Sequence, residues 1–153
     1  MASPSKRPMD LPIQCVVLSS KRSEFTFLKN IFRLAGLRLH HAANLVDADV
    51  LLALTHSTVL LTDVLFDGAG WRDAVRLVRE RHPLVPVLVI ADPADYPLLA
   101  QLYDCGAAGA IWKPFQFEAV RRQIRVLHEA SQERRAWIEE ASRPGVYWSG
   151  SPR

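Results

Sequence analysis

The chain has 153 residues, 49% hydrophobic and 23% charged, enough for one domain with a proper core and too few for two. No apolar run approaches the roughly 20 residues needed to span a bilayer, and the opening MASPSKRPMDLP lacks the apolar segment of a signal peptide. Net charge is +3, but Glu80, Glu118, Glu129, Glu133, Glu139 and Glu140 break up any basic stripe, so neither nucleic acid nor a membrane is expected as a partner. Cys15 and Cys105 form no framework and no metal-ligand spacing, which reads as two reduced thiols of a cytoplasmic protein.

The Pro- and Ser-containing segment 1–11 reads as a disordered arm. IQCVVLSS (13–20) is an apolar run ending in two serines and predicts a first strand. EFTFLKNIFRLAG (24–36) places Phe25, Leu28, Ile31, Phe32 and Ala35 at helical spacing and stops at Gly36. LRLHHA (37–42) alternates as a strand near a sheet edge does, and DADVLLAL (47–54) is a short helix with Asn44 available as its cap. TVLLT (58–62) is a continuous apolar strand that halts at Asp63, with a second acid, Asp67, four residues on.

GWRDAVRLVRERH (70–82) is an amphipathic helix carrying Trp71, Ala74, Val75, Leu77 and Val78 on one side and ending before Pro83. VPVLVIA (85–91) predicts a fourth buried strand, and DYPLLAQLYDCG (95–106) a helix with Pro97 in its first turn. GAIW (109–112) is a short last strand running into Lys113-Pro114, followed by one long helical pattern over 117–141. The residues divide into a domain over 12–130 and a helical extension and tail over 131–153.

Strands and helices that alternate in this way argue for a parallel sheet with helices on both faces. In such sheets ligands bind beyond the C-terminal strand ends, at the switch in strand order. Asp63 lies at such an end, and in a flavodoxin-like order 2-1-3-4-5 Ser19 and Ser20 lie beside it.

With Asp63 closing the third strand and GAAGAIWKPF at 106–115, the chain is similar to the receiver domains of bacterial two-component response regulators. The resemblance covers about 12–130 and implies a flavodoxin-like (βα)5 fold, here with an extended C-terminal helix. It implies Asp63 as phosphoacceptor, Lys113 as the cation that pairs with it, and a cis bond before Pro114. Such transfer is mainly positioning and neutralisation of spread negative charge by a metal and a fixed cation.

Three departures stand against that pattern. The acid pair that holds Mg²⁺ in the family is replaced by Ser19 and Ser20, poor donors for a hard ion. Asp67 is the candidate second carboxylate, whereas Glu24 in the first turn of its helix reads as a complement to the helix dipole. The switch positions carry Ala91 in place of a hydroxyl and Ala110 in place of an aromatic ring. The expected cofactor is therefore none, or weakly bound Mg²⁺.

Trp112 lies on the side of the last strand shared with Ala110, and Trp137 and Ile138 on the helical extension are exposed on a monomer; all three are interface candidates. The histidines show no ligand spacing and read as solvated. No nucleophile elbow, P-loop or dinucleotide fingerprint is present, so no enzyme is expected. The implied function is a stand-alone receiver-type module of a phosphorelay, partnered by a histidine kinase or phosphotransfer protein, by a downstream protein and by a possible second copy. The alternative is a pseudo-receiver that acts as a phosphorylation-independent interaction or dimerisation scaffold.

Overall fold

The computed structural model describes residues 12–144; the expected N-terminal arm and the end of the tail lie outside them. The strands are β1 (Ile13–Leu18), β2 (Leu37–Ala42), β3 (Val59–Asp63), β4 (Val87–Ala91) and β5 (Gly109–Trp112). They form one parallel sheet of order β2-β1-β3-β4-β5, the order the sequence implied. Between them run α1 (Arg22–Leu34), α2 (Leu45–Thr55), α3 (Trp71–Arg81), α4 (Leu99–Asp104) and, at the end, α5 (Phe117–Ser142).

The strands alternate their side chains between two cores. Val16, Leu18, Leu60, Val87, Val89 and Ala110 pack under α2, α3 and α4. Cys15, Val17, Leu61, Leu88, Ile90 and Ile111 pack under α1 and α5, where Leu28, Phe32, Val120 and Ile124 meet them. The central strands are apolar on both faces because both faces are covered. Each fully buried Leu or Phe contributes roughly 1.5–3 kcal/mol over an exposed one.

Local chemistry sets the element ends. The Asn44 side chain accepts from Asp47 N at 2.9 Å, the cap the sequence anticipated. The expected fourth helix forms in two pieces: a 3-10 turn over Pro93–Leu98, then α4 over Leu99–Asp104. Pro97 has no N–H to donate, so the α-helical ladder begins only after it. After Asp63 the chain makes a small antiparallel hairpin, Leu65–Phe66 with Ala69–Gly70. Asp67 and Gly68 form its tip at φ 40° and 76°, the left-handed pair favoured in two-residue hairpins.

The histidines depart from expectation. His40 bonds Gln14 at 2.9 Å, His41 donates to the Ser19 carbonyl at 2.7 Å, His82 meets Asp49 at 2.7 Å, and His128 meets Thr58 at 2.7 Å. Four of the five are structural, because each lies where a polar group from a neighbouring element is within reach. Ser131, which interrupts the heptad of α5, is buried and donates to the Leu84 carbonyl at 2.9 Å, so α5 stays packed on the loop before β4. Beyond it Trp137 and Ile138 are 65% and 45% exposed.

Candidate functional site

The register of the sheet assembles the site. Leu18 is level with Thr62 and Asp63 with Ile90, itself level with Ile111. Residue 19 therefore emerges abreast of Asp63, and Lys113 two residues beyond Ile111, all on the α1 side of the sheet. The Ser19 hydroxyl donates to Asp63 Oδ2 at 2.6 Å and its Oγ accepts from Lys21 N at 3.1 Å. His41 braces the Ser19 carbonyl from β2, with its ring stacked on Phe25 at 4.7 Å. Ser20, one residue on, points out into solvent and does not join the site.

Glu24 is the residue that sequence reasoning undervalued. It does stand in the first turn of α1, yet its carboxylate turns inward between Asp63 and Lys113. Lys113 Nζ donates to Glu24 Oε2 at 2.9 Å, so the lysine's direct partner is Glu24, and Asp63 is only its Coulombic neighbour. The available signal was one lone acid a single turn into the helix that follows β1. Asp67, the carboxylate singled out from spacing, is exposed at the hairpin tip.

Below about pH 7 the two carboxylates hold one proton between them. Glu24 Oε1 is buried and meets no ordinary donor among the described residues. Two ionised carboxylates offer each other acceptors alone, whereas a proton on Asp63 supplies the missing donor. Asp63 is 6% exposed. Burial first, and then its bond to Glu24, push its carboxyl up to about 7, against the opposing pull of Ser19 and the Lys113 charge. Burial pushes Glu24 the same way but is outweighed by Asp63 and Lys113, so Glu24 falls below its ordinary value. Burial tends to lower Lys113, yet the bond and charge of Glu24, with Asp92 and Asp63, raise it. Below about pH 7 the result is a neutral acid, a carboxylate and an ammonium in a row.

The rest of the loop set follows. The Lys113–Pro114 peptide bond is cis. Ala91 is buried at the end of β4, its carbonyl accepting from Lys113 N at 2.9 Å, and Ala110 is buried with its carbonyl bound by Gln123. Trp112 lies half-buried on the face it shares with Ala91 and Ala110, its ring 5.9 Å from Tyr96. Among the described residues no group of three or more His, Cys, Asp or Glu side chains converges so that it could hold a metal ion. Within the same residues no helix is long and apolar enough to cross a membrane.

The chain has the fold of response-regulator receiver domains, and part of it is similar in sequence to bacterial regulatory proteins. The chain is 32% identical over 96 residues to the DNA-binding transcriptional regulator NtrC of Klebsiella pneumoniae, across 59% of this chain and 20% of that protein. It is 27% identical over 116 residues to the regulatory protein AtoC of Escherichia coli K12, across 67% and 25% respectively. It therefore spans about a fifth to a quarter of the curated relatives it matches. Among solved structures, NtrX from Brucella abortus superposes with a TM-score of 0.75 at 16% identity, covering 91% of this chain and 32% of that one. The signal receiver domain of a Luxo repressor protein from Vibrio parahaemolyticus gives 0.72 at 12% identity, covering 83% and 98%. No protein-family model matches the chain.

Proposed function

We propose that this chain is a cytoplasmic pseudo-receiver, a signalling module that works by protein contact without taking a phosphoryl group. The observation that carries this reading is the closed Asp63–Glu24–Lys113 row. The carboxyl in the phosphoacceptor position is buried, bonded by Ser19 at 2.6 Å and carries a proton up to about pH 7. A protonated carboxyl is a poor nucleophile, and the cation that would meet the incoming charge is bonded to Glu24.

The donor set does not suit Mg²⁺. Ser19 turns its proton toward Asp63, Ser20 faces solvent, Asp67 is at the hairpin tip, and the remaining carboxylate is matched by Lys113. Ala91 and Ala110 supply neither the hydroxyl nor the ring that would relay a phosphoryl group. Partner contact is assigned to Trp112 and to the exposed Trp137 and Ile138, aromatic and apolar anchors suited to a protein surface. The competing phosphorelay reading, with Asp63 as acceptor, rests on the retained Asp63, Lys113 and cis Pro114.

Intact-mass measurement after incubation with acetyl phosphate and Mg²⁺, with Asp63→Asn alongside, separates the two. Unmodified mass in a folded protein is the expected result. A labile phosphoryl increment that disappears in the variant would overturn the pseudo-receiver reading.

A further inference from the structure

We propose that a second copy of this chain docks on the outer face of α2, the two helices packing antiparallel about a two-fold axis at Val50. Of the 11 residues of α2 only Asp47, Asp49 and Thr55 are polar, and none is Lys or Arg. Ala48 and Leu52 enter the core, yet Val46, Val50 and Leu54 on the outer side are 73%, 49% and 72% exposed. By contrast α1, α3 and α5 put cations into solvent, among them Arg33, Arg76 and Arg125. A helix that is apolar all round is ordinarily covered all round.

The polar residues of α2 do little for that face. Asp49 turns to Arg81 and His82 at 2.9 and 2.7 Å, and the Thr55 hydroxyl donates back to the Leu51 carbonyl at 2.7 Å. Asp47 is left as the one charged side chain of α2 among its exposed apolar ones. Covering such a surface is favourable in proportion to the apolar area removed from water. Val46, Val50 and Leu54 recur every four residues and so form one ridge of the i±4 kind. Ridges of that kind interdigitate with their like at about −50° in the commonest helix packing.

The occupant is a second copy because the face complements itself. Antiparallel packing about Val50 sets Val46 toward the other copy's Leu54 and Val50 beside its own counterpart. The N-terminal end of α2 is acidic: Asp47 and Asp67 line a cleft there with Val46 and Phe66. The C-terminal end is cationic: Arg81 and Arg135 line a cleft beside Ala53 and His56, and Asp49 offsets one of the two charges. The two-fold axis brings acidic end to cationic end twice and opposes the helix dipoles, whereas a parallel pair would set Asp47 against Asp47. A helix of 11 residues is only about 16 Å long. The contact therefore falls short of the roughly 800 Å² per partner of a standard interface, and the dimer is weak, with a dissociation constant on the order of 0.1 mM. This surface is separate from Trp112, Trp137 and Ile138, and its use does not depend on whether Asp63 takes a phosphoryl group.

The test is sedimentation equilibrium of the full chain at concentrations from about tenfold below to about tenfold above that constant. A reversible monomer–dimer equilibrium is expected. Val50→Glu, at a half-exposed position that tolerates a charge in the monomer, should weaken it at least about tenfold with an unchanged circular dichroism spectrum. Asp47→Lys should weaken it as well, and Asp47→Lys with His56→Asp, which exchanges charge between the two ends, should recover part of the loss. Trp137→Ser should associate as the parent does. A chain that stays monomeric throughout would overturn the proposal, and so would a dimer that survives Val50→Glu. A dimer abolished by Trp137→Ser would place the contact on α5 instead, and no recovery in the double variant would overturn the antiparallel order.

Discussion

The two ends of this sheet treat charge in opposite ways. At the C-terminal end Asp63, Glu24 and Lys113 are drawn inward, share a proton and an ion pair, and leave little for a ligand to satisfy. At the N-terminal end the loop before β4 and the overhanging α5 gather arginines, and Arg135 Nε is buried without a hydrogen-bond partner among the described residues. Each end holds one buried polar atom without an ordinary partner among the described residues, Glu24 Oε1 and Arg135 Nε, but only at the C-terminal end can a neighbouring acid's proton supply one.

Breaking the closed end should have the largest effect. Lys113→Met leaves Glu24 facing Asp63 without its cation. It should cost about 2–3 kcal/mol, at or below the low end of the range for buried pairs because part of the lysine side chain reaches water. Urea unfolding at neutral pH measures it, and an unchanged midpoint would mean that the row is not held by charge.

A pH series sharpens the same point. Asp63 has its folded value raised to about 7, against an ordinary unfolded carboxylate near ~3.9. Its contribution is fully present below the unfolded value and is lost as pH climbs from about 4 through 7, at no more than about 1.4 kcal/mol per unit. Glu24, shifted down, titrates below this window and leaves it unaffected, so a net loss of about 2–3 kcal/mol from pH 5 to 8 is expected. Asp63→Asn should flatten that slope and be the more stable protein at pH 8. A parallel slope in parent and variant would show that Asp63 does not carry the proton.

The smallest effect belongs to the open end. Arg135→Gln should raise stability by about 1 kcal/mol, since it removes a buried charged donor that has no partner among the described residues. A large loss in thermal melts would mean that Arg135 is structural and that the two ends are not so different.

Much of this was legible before any coordinates. The continuous apolar runs of β3 and β4 announced strands covered on both faces. The spacing of Leu28 with Phe32, and of Ala74 with Val75 and Val78, announced which helix faces are buried. Asn44 announced its cap, and Asp63 its position at the end of a strand. These signals are local: residue period, a capping oxygen, a proline or a glycine at a boundary. The Asp-Gly pair at 67–68 was a local hairpin signal too, but it was read as chemistry, and Asp67 proved to be the tip of a turn.

Other features came from contacts between residues far apart in the chain. Glu24 meets Lys113 across 89 positions and Ser19 meets Asp63 across 44, distances over which no periodicity carries information. Four histidines that read as solvated found partners on neighbouring elements for the same reason. The sequence by itself determined the elements, their order and the position of Asp63, because those depend on each residue and its near neighbours. Only the tertiary structure decided which acid faces Asp63, what raises its carboxyl and that Arg135 Nε has no partner among the described residues. Those outcomes depend on burial and on which side chains the folded sheet brings together.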